Sequence, residues 1–229
     1  MGVFARHLGV CCLLAAAVTA LACGSAAVPL SPSASDQRVA VTPRGIVVLG
    51  DSLAVSPSRA NGFPAVLQER LNATHPGWTV SNQSVSGDTT ADGLRRLDPA
   101  LTAGTAILVL ELGANDGLRG VAIATIEQNL STMIEQAQAR GICVLLCGME
   151  TPPLNGFNYS LDYHRLFPRV AARHNVSLVP FLLEGVALNP DLNGDDEIHP
   201  NAAGARRIAD NVWPYLEPLV TQAAAMAAR

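Results

Sequence analysis

Short apolar runs alternate with helical patterns along most of this chain, and that alternation narrows the fold more than any other feature. The runs cover 45–49, 78–83, 105–111, 142–148 and 177–181. Gly45-Ile46-Val47-Val48-Leu49 contains no polar side chain, and Ala106 to Leu110 contains none either. A strand with one wet face alternates polar and apolar residues, whereas one covered on both faces reads as a continuous apolar run. Helical stretches lie between the runs, for example at 62–72, 122–139 and 160–174, and a last helix spans about 201–221. Strand–helix alternation with fully apolar strands predicts a parallel sheet covered on both faces. Five such strands predict an α/β fold of the flavodoxin-like, doubly wound kind, a three-layer sandwich around a five-stranded parallel sheet. A chain of 229 residues supplies one well-filled core.

This topology sorts the polar residues. A group just after a strand sits at the carboxyl edge of the sheet, where open α/β folds place their sites. Ser52 follows the first run, Gly87 and Asp88 the second, Asn115 and Asp116 the third, and Asp196 and His199 the fifth. His75 and His174 precede strands and belong to the opposite edge. His164 lies inside a helical pattern, where an exposed or capping role is expected.

Serine is a weak nucleophile. It needs a general base within hydrogen-bond reach, and the base needs a group that fixes its tautomer. Asp196-Glu197-Ile198-His199-Pro200 offers both, because an Asp three residues before a His can fold back on Nδ1. Taken alone, this D-x-x-H reads equally well as a helix start with a capping carboxylate and Pro200 at the first helical position. Charge developing on an attacked carbonyl needs preorganised donors. The Ser52 N–H, the Gly87 N–H and the side-chain N–H of Asn115 are the candidates. Singly, Gly87 is also a plain turn glycine and Asn115 a turn or cap residue. Jointly, four connections bringing these groups to one rim point to a serine hydrolase.

Composition removes rival chemistries. All fifteen basic residues are Arg. Without Lys there is no Schiff base, no Ser-Lys dyad and no P-loop Lys. A net charge of −4 gives no basic surface for nucleic acid. Cys143 and Cys147, four residues apart on one strand, are separated by about 13 Å and cannot form a disulfide. No metal-ligand spacing is present, and neither a metal nor a cofactor is expected.

The blocks Gly50-Asp51-Ser52-Leu53, Ser86-Gly87-Asp88-Thr89, Gly113-Ala114-Asn115-Asp116 and Asp196-x-x-His199-Pro200-Asn201 resemble, in order, the four motifs of the GDSL/SGNH hydrolases. The run from Glu111 to Gly120 is similar to the bacterial periplasmic thioesterase I, lysophospholipase and arylesterase group. The resemblance spans Gly45 to the C-terminus. It implies Ser52 as nucleophile, His199 as base and Asp196 as its orienter, with Ser52, Gly87 and Asn115 forming the oxyanion hole. It also implies hydrolysis of acyl esters, thioesters or lysophospholipids through an acyl-enzyme; a monomer is expected. The loop Met149–Phe157 departs from the group and is expected to shape the acyl pocket. Leu118 and Phe157 are candidates for its lining, with core packing as the alternative. Two other readings share the fold: a carbohydrate O-acetyl esterase, and a non-catalytic envelope protein that binds lipid or glycan.

Residues 1–22 read as a signal peptide. Arg6 and His7 precede an apolar run from Leu8 to Ala22, and Ala20-Leu21-Ala22 fits a cleavage site. Cys23, directly after it, opens a second option: lipid attachment and a membrane anchor in place of plain secretion. Residues 23–44, rich in Ser, Ala and Pro, read as a flexible tether to a catalytic domain at 45–229. An exported protein is expected, in the periplasm, anchored at the outer membrane or secreted.

Overall fold

The computed structural model describes residues 44–227. The leader, Cys23 and the tether up to residue 43 lie outside the described residues. Five strands form one parallel sheet: β1 (Gly45–Gly50), β2 (Thr79–Asn82), β3 (Thr105–Glu111), β4 (Cys143–Cys147) and β5 (Ser177–Val179). Their order is β2-β1-β3-β4-β5. The doubly wound expectation therefore holds. Every residue of β3 is buried, as are five of the six in β1, which matches their continuous apolar sequence. β2, at one edge, alternates exposed and half-buried residues and is polar accordingly.

Among the described residues, six α-helices lie between the strands and a seventh follows β5: α1 (Ser52–Val55), α2 (Phe63–Thr74), α3 (Thr90–Ala100), α4 (Ala114–Arg119), α5 (Ile123–Gln138), α6 (Phe157–His174) and α7 (Ala202–Ala227). α2 and α7 pack together, while α3, α5 and α6 pack in succession. Right-handed crossovers in this strand order put those two groups on opposite faces of the sheet. Between the layers lie Leu49, Leu67, Leu108, Leu110, Phe167 and Val212, all but fully buried. Truncating one such Leu to Ala costs about 2–5 kcal/mol.

α3 escapes a reading by apolar period, since it contains Gly93, Pro99 and four charged residues. A capping box starts it: the Asp92 carboxylate accepts from the Thr89 N–H at 2.9 Å, and Thr89 Oγ1 accepts from the Asp92 N–H at 3.3 Å. α7 does not begin at Pro200. Asn201 caps it, its side-chain oxygen accepting from the N–H groups of Ala203 and Gly204, so Pro200 stands before the helix. α7 also continues past 221, because Val220 and Ala223 still face the core. Cys143 and Cys147 are unpaired thiols. Burial raises the pKa of both, which makes them poor nucleophiles.

Candidate active site

β1 ends in the crevice between β1 and β3, where the strand order reverses. Gly50 pairs with Glu111 across that crevice. A Cβ on residue 50 would lie 2.1 Å from Glu111 Oε2, so only glycine lets that carboxyl press against the turn. Glu111 Oε2 accepts from the Asp51 N–H at 3.1 Å. Asp51, fully buried, caps α1 by accepting from the Leu53 N–H at 3.0 Å. Ser52 then opens α1, so its N–H belongs to the first turn and has no acceptor within the helix.

His199 arrives on a loop that closes on itself. Gly194 donates to the His199 carbonyl at 2.8 Å, and Glu197 donates to the Gly194 carbonyl at 2.9 Å. Glu197 takes a left-handed φ of 58°, a strained conformation for a non-glycine residue, and this doubles the chain back. Asp196 Oδ1 accepts from the N–H groups of Ile198 at 3.0 Å and His199 at 2.9 Å. Its Oδ2 lies 2.6 Å from His199 Nδ1, and His199 Nε2 lies 2.8 Å from Ser52 Oγ. With Asn201 as the helix cap, Asp196 serves His199 instead of α7. The hydrogen bond from the His199 ring, then those from the two backbone N–H groups, hold the exposed Asp196 carboxyl below the usual carboxylate range.

Gly87 and Asn115 reach the same rim from two other connections. Gly87 has a φ of 84°, open to glycine and rarely to other residues. Arg119 Nη2 donates to its carbonyl at 3.0 Å. Asn115 Nδ2 lies 3.0 Å from both Asp51 Oδ2 and the Asp88 carbonyl, which ties the third block to the first and the second. Arg96 binds the Gly50 carbonyl at 2.8 Å, the Gln83 carbonyl and the Asp88 carboxylate. One guanidinium thus clamps the ends of β1 and β2 and the Gly87 loop. Asp116 is buried and accepts from the Thr90 hydroxyl at 2.6 Å and its N–H at 2.8 Å, fixing α4 against α3.

Leu118 and Phe157 do not pack in the core. They are 45% and 76% exposed, at the end of α4 and the start of α6. Asn155 joins their two loops by donating to the Gly117 carbonyl at 2.8 Å. His164 is exposed and bonded to Glu150 at 2.6 Å. Among the described residues no group of three His, Cys, Asp or Glu is arranged to hold a metal. Reading the sequence alone passes over Glu111, Arg96 and Arg119. Glu111 carried one signal, a charged residue closing an otherwise apolar run; the arginines carried none, because backbone carbonyls leave no trace in sequence.

Known proteins resemble this chain in sequence and fold. The sequence model of the GDSL-like lipase/acylhydrolase family matches residues 48–207. Esterase TesA of Pseudomonas aeruginosa is 45% identical over 76% of this chain and 89% of its own length. Thioesterase 1/protease 1/lysophospholipase L1 of Escherichia coli K12 is 36% identical over 76% of this chain and 84% of its own. Among solved structures, the psychrotrophic esterase EstA from Pseudoalteromonas sp., inhibited by monoethylphosphonate, superposes with a TM-score of 0.73. It is 29% identical and covers 78% of this chain and 99% of that one. The chain belongs to the GDSL-like lipase/acylhydrolase family and is a hydrolase of ester bonds.

Proposed function

We propose that the protein hydrolyses acyl esters and thioesters through a Ser52–His199–Asp196 triad and an acyl-enzyme. The single observation that carries this reading is the continuous relay from Ser52 Oγ through His199 to Asp196, with contacts of 2.8 and 2.6 Å. Asp196 accepts a hydrogen bond from the Nδ1–H group and leaves Nε2 to face the hydroxyl. His199 takes the Ser52 proton as Oγ attacks the acyl carbon, and the carbonyl oxygen gains charge. The N–H groups of Ser52, Gly87 and Asn115 receive that oxyanion. His199 then protonates the leaving alcohol or thiol, and water activated by the same imidazole clears the acyl group. The inhibition of EstA by a phosphonate supports an attacking hydroxyl here, since such compounds mimic the tetrahedral state.

Exposed Leu118, Leu154 and Phe157 on neighbouring loops favour acyl groups longer than acetyl, in keeping with the lysophospholipase among the relatives. The leader pattern supports export, either by plain secretion or with lipid attachment at Cys23. The test pairs a fluorophosphonate probe with a chain-length series of p-nitrophenyl esters. Labelling at Ser52, lost in Ser52→Ala together with hydrolysis, is expected. An unlabelled protein or an active Ser52→Ala variant overturns the triad. A profile confined to acetyl esters turns the substrate reading toward an O-acetyl esterase.

A further inference from the structure

Two carboxyl groups lie wholly buried directly beneath Ser52, and the hydrolytic relay uses neither. Asp51 and Glu111 are each 0% exposed, and no Arg guanidinium touches either of them among the described residues. Glu111 Oε2 accepts from the Asp51 N–H, while Glu111 Oε1 is buried with no hydrogen-bond partner. Asp51 spends both oxygens, Oδ1 on the Leu53 N–H and Oδ2 on the side-chain N–H of Asn115. An ionised carboxylate left with an empty, dry oxygen is far costlier than a neutral acid in the same place.

We propose that Asp51 and Glu111 act as paired positioning residues: Glu111 is a neutral acid that props the nucleophile turn, and Asp51 is the carboxylate that fixes the amide of Asn115. The inference rests on Asn115 being an oxyanion donor. With one N–H anchored on Asp51, substrate oxygen competes only with the Asp88 carbonyl for the other. The electrostatics agree with this division. Burial, then the charge of Asp51, raises the Glu111 carboxyl well above its ordinary value. Burial raises Asp51 only to about 6, since bonds from Leu53 and Asn115 oppose it. The ionisable groups facing Glu111 are Asp51 and Cys147. Those facing Asp51 are Glu111, His199, Asp116 and Tyr163, with Arg96 reaching the adjacent Gly50 carbonyl. Two buried carboxyls this close favour one proton between them.

The test combines a double-mutant cycle with melting curves. Asp51→Ala lowers kcat on p-nitrophenyl butyrate by about 10²-fold with KM within about threefold, the pattern of a lost transition-state contact. Asp51→Ala added to Asn115→Ala costs almost nothing more, because both remove one interaction. Glu111→Ala is impaired, and Glu111→Gln recovers most of that loss, its NH₂ standing in for the acid proton. A raised pKa in the folded protein means stability is lost as pH rises above the ordinary carboxylate value. Gln does not titrate, so the melting temperature of Glu111→Gln gains on the wild type from pH 5 to pH 8, by about 5 °C. Multiplying effects of Asp51→Ala and Asn115→Ala, or a pH-independent gap between Glu111→Gln and wild type, overturns the pairing. Ser52→Ala assayed in parallel separates the two failures. If it stays active, the triad is wrong, while the melts, which need no turnover, still decide the protonation of Glu111.

Discussion

Ser52 and His199, the proposed nucleophile and base, are held by opposite means. Ser52 stands on a turn backed by the central strands, and its neighbours Asp51 and Glu111 are sealed from solvent. His199 and Asp196 stand on an exposed loop that folds over its own backbone, Glu197 in a left-handed conformation at its bend. The carboxyls respond accordingly. Burial drives Asp51 and Glu111 up, while local hydrogen bonds pull Asp196 down. A side chain set on the core, as Ser52 is, inherits the rigidity of the sheet; one on a surface loop, as His199 is, has to be made rigid by short-range bonds.

Ser52→Ala and His199→Ala test the relay across this divide and carry the largest effect. Each is expected to lower kcat on a p-nitrophenyl ester by about 10⁴–10⁶ with the circular dichroism spectrum unchanged. Asp196→Ala comes next, at about 10³–10⁴, because the tautomer and ring orientation of His199 depend on it. A loss as small as tenfold would show that the loop backbone alone orients the imidazole. Asn115→Ala is expected to cost about 10²–10³ in kcat with little change in KM, the measure of one oxyanion donor.

The smallest effect concerns stability. A depressed carboxyl contributes stability that is present above its unfolded pKa and lost only as pH falls through the lower folded value. Asp196 therefore contributes a constant amount between pH 5 and pH 8, and Asp196→Ala, at an exposed loop, should melt below the wild type by a small margin, about 2 °C, that stays the same throughout that range. The raised carboxyls act with the other sign. Asp51 gives up stability as pH climbs from about 4 toward 6, and Glu111 continues the loss at higher pH. Melting temperatures of wild type and Asp196→Ala should fall in parallel over this interval. A variant curve that diverges from the wild type would place Asp196 in a drier setting than the loop provides.

Much of the architecture was legible because burial on both faces writes itself as an unbroken apolar run. β3 occupies 105–111 in both readings, and the helices around 62–72, 122–139 and 160–174 appear within a few residues of their expected ends. α3 was hidden, since its start depends on the Thr89–Asp92 cap and its burial on small residues such as Gly93 and Ala100. Ser52, Gly87, Asn115, Asp196 and His199 stood out as small or polar residues in the connections that follow strands. Glu111 did not, because a carboxyl at the end of a strand reads as a solvated terminus until its surroundings are known.

The sequence by itself determined the order of elements, the burial of the central strands and the short Asp196–His199 reach, all consequences of local pattern and of the carboxyl edge that a parallel sheet creates. Tertiary structure decided what separations of 60, 64 and 147 residues bring together: Glu111 under the Asp51 N–H, Asn115 on Asp51 Oδ2, and His199 on Ser52. It also decided which carboxyls burial pushes up and which local hydrogen bonds pull down. The reason is that periodicity records only which face of an element is dry, whereas a hydrogen-bond partner and a local dielectric are properties of the packed whole.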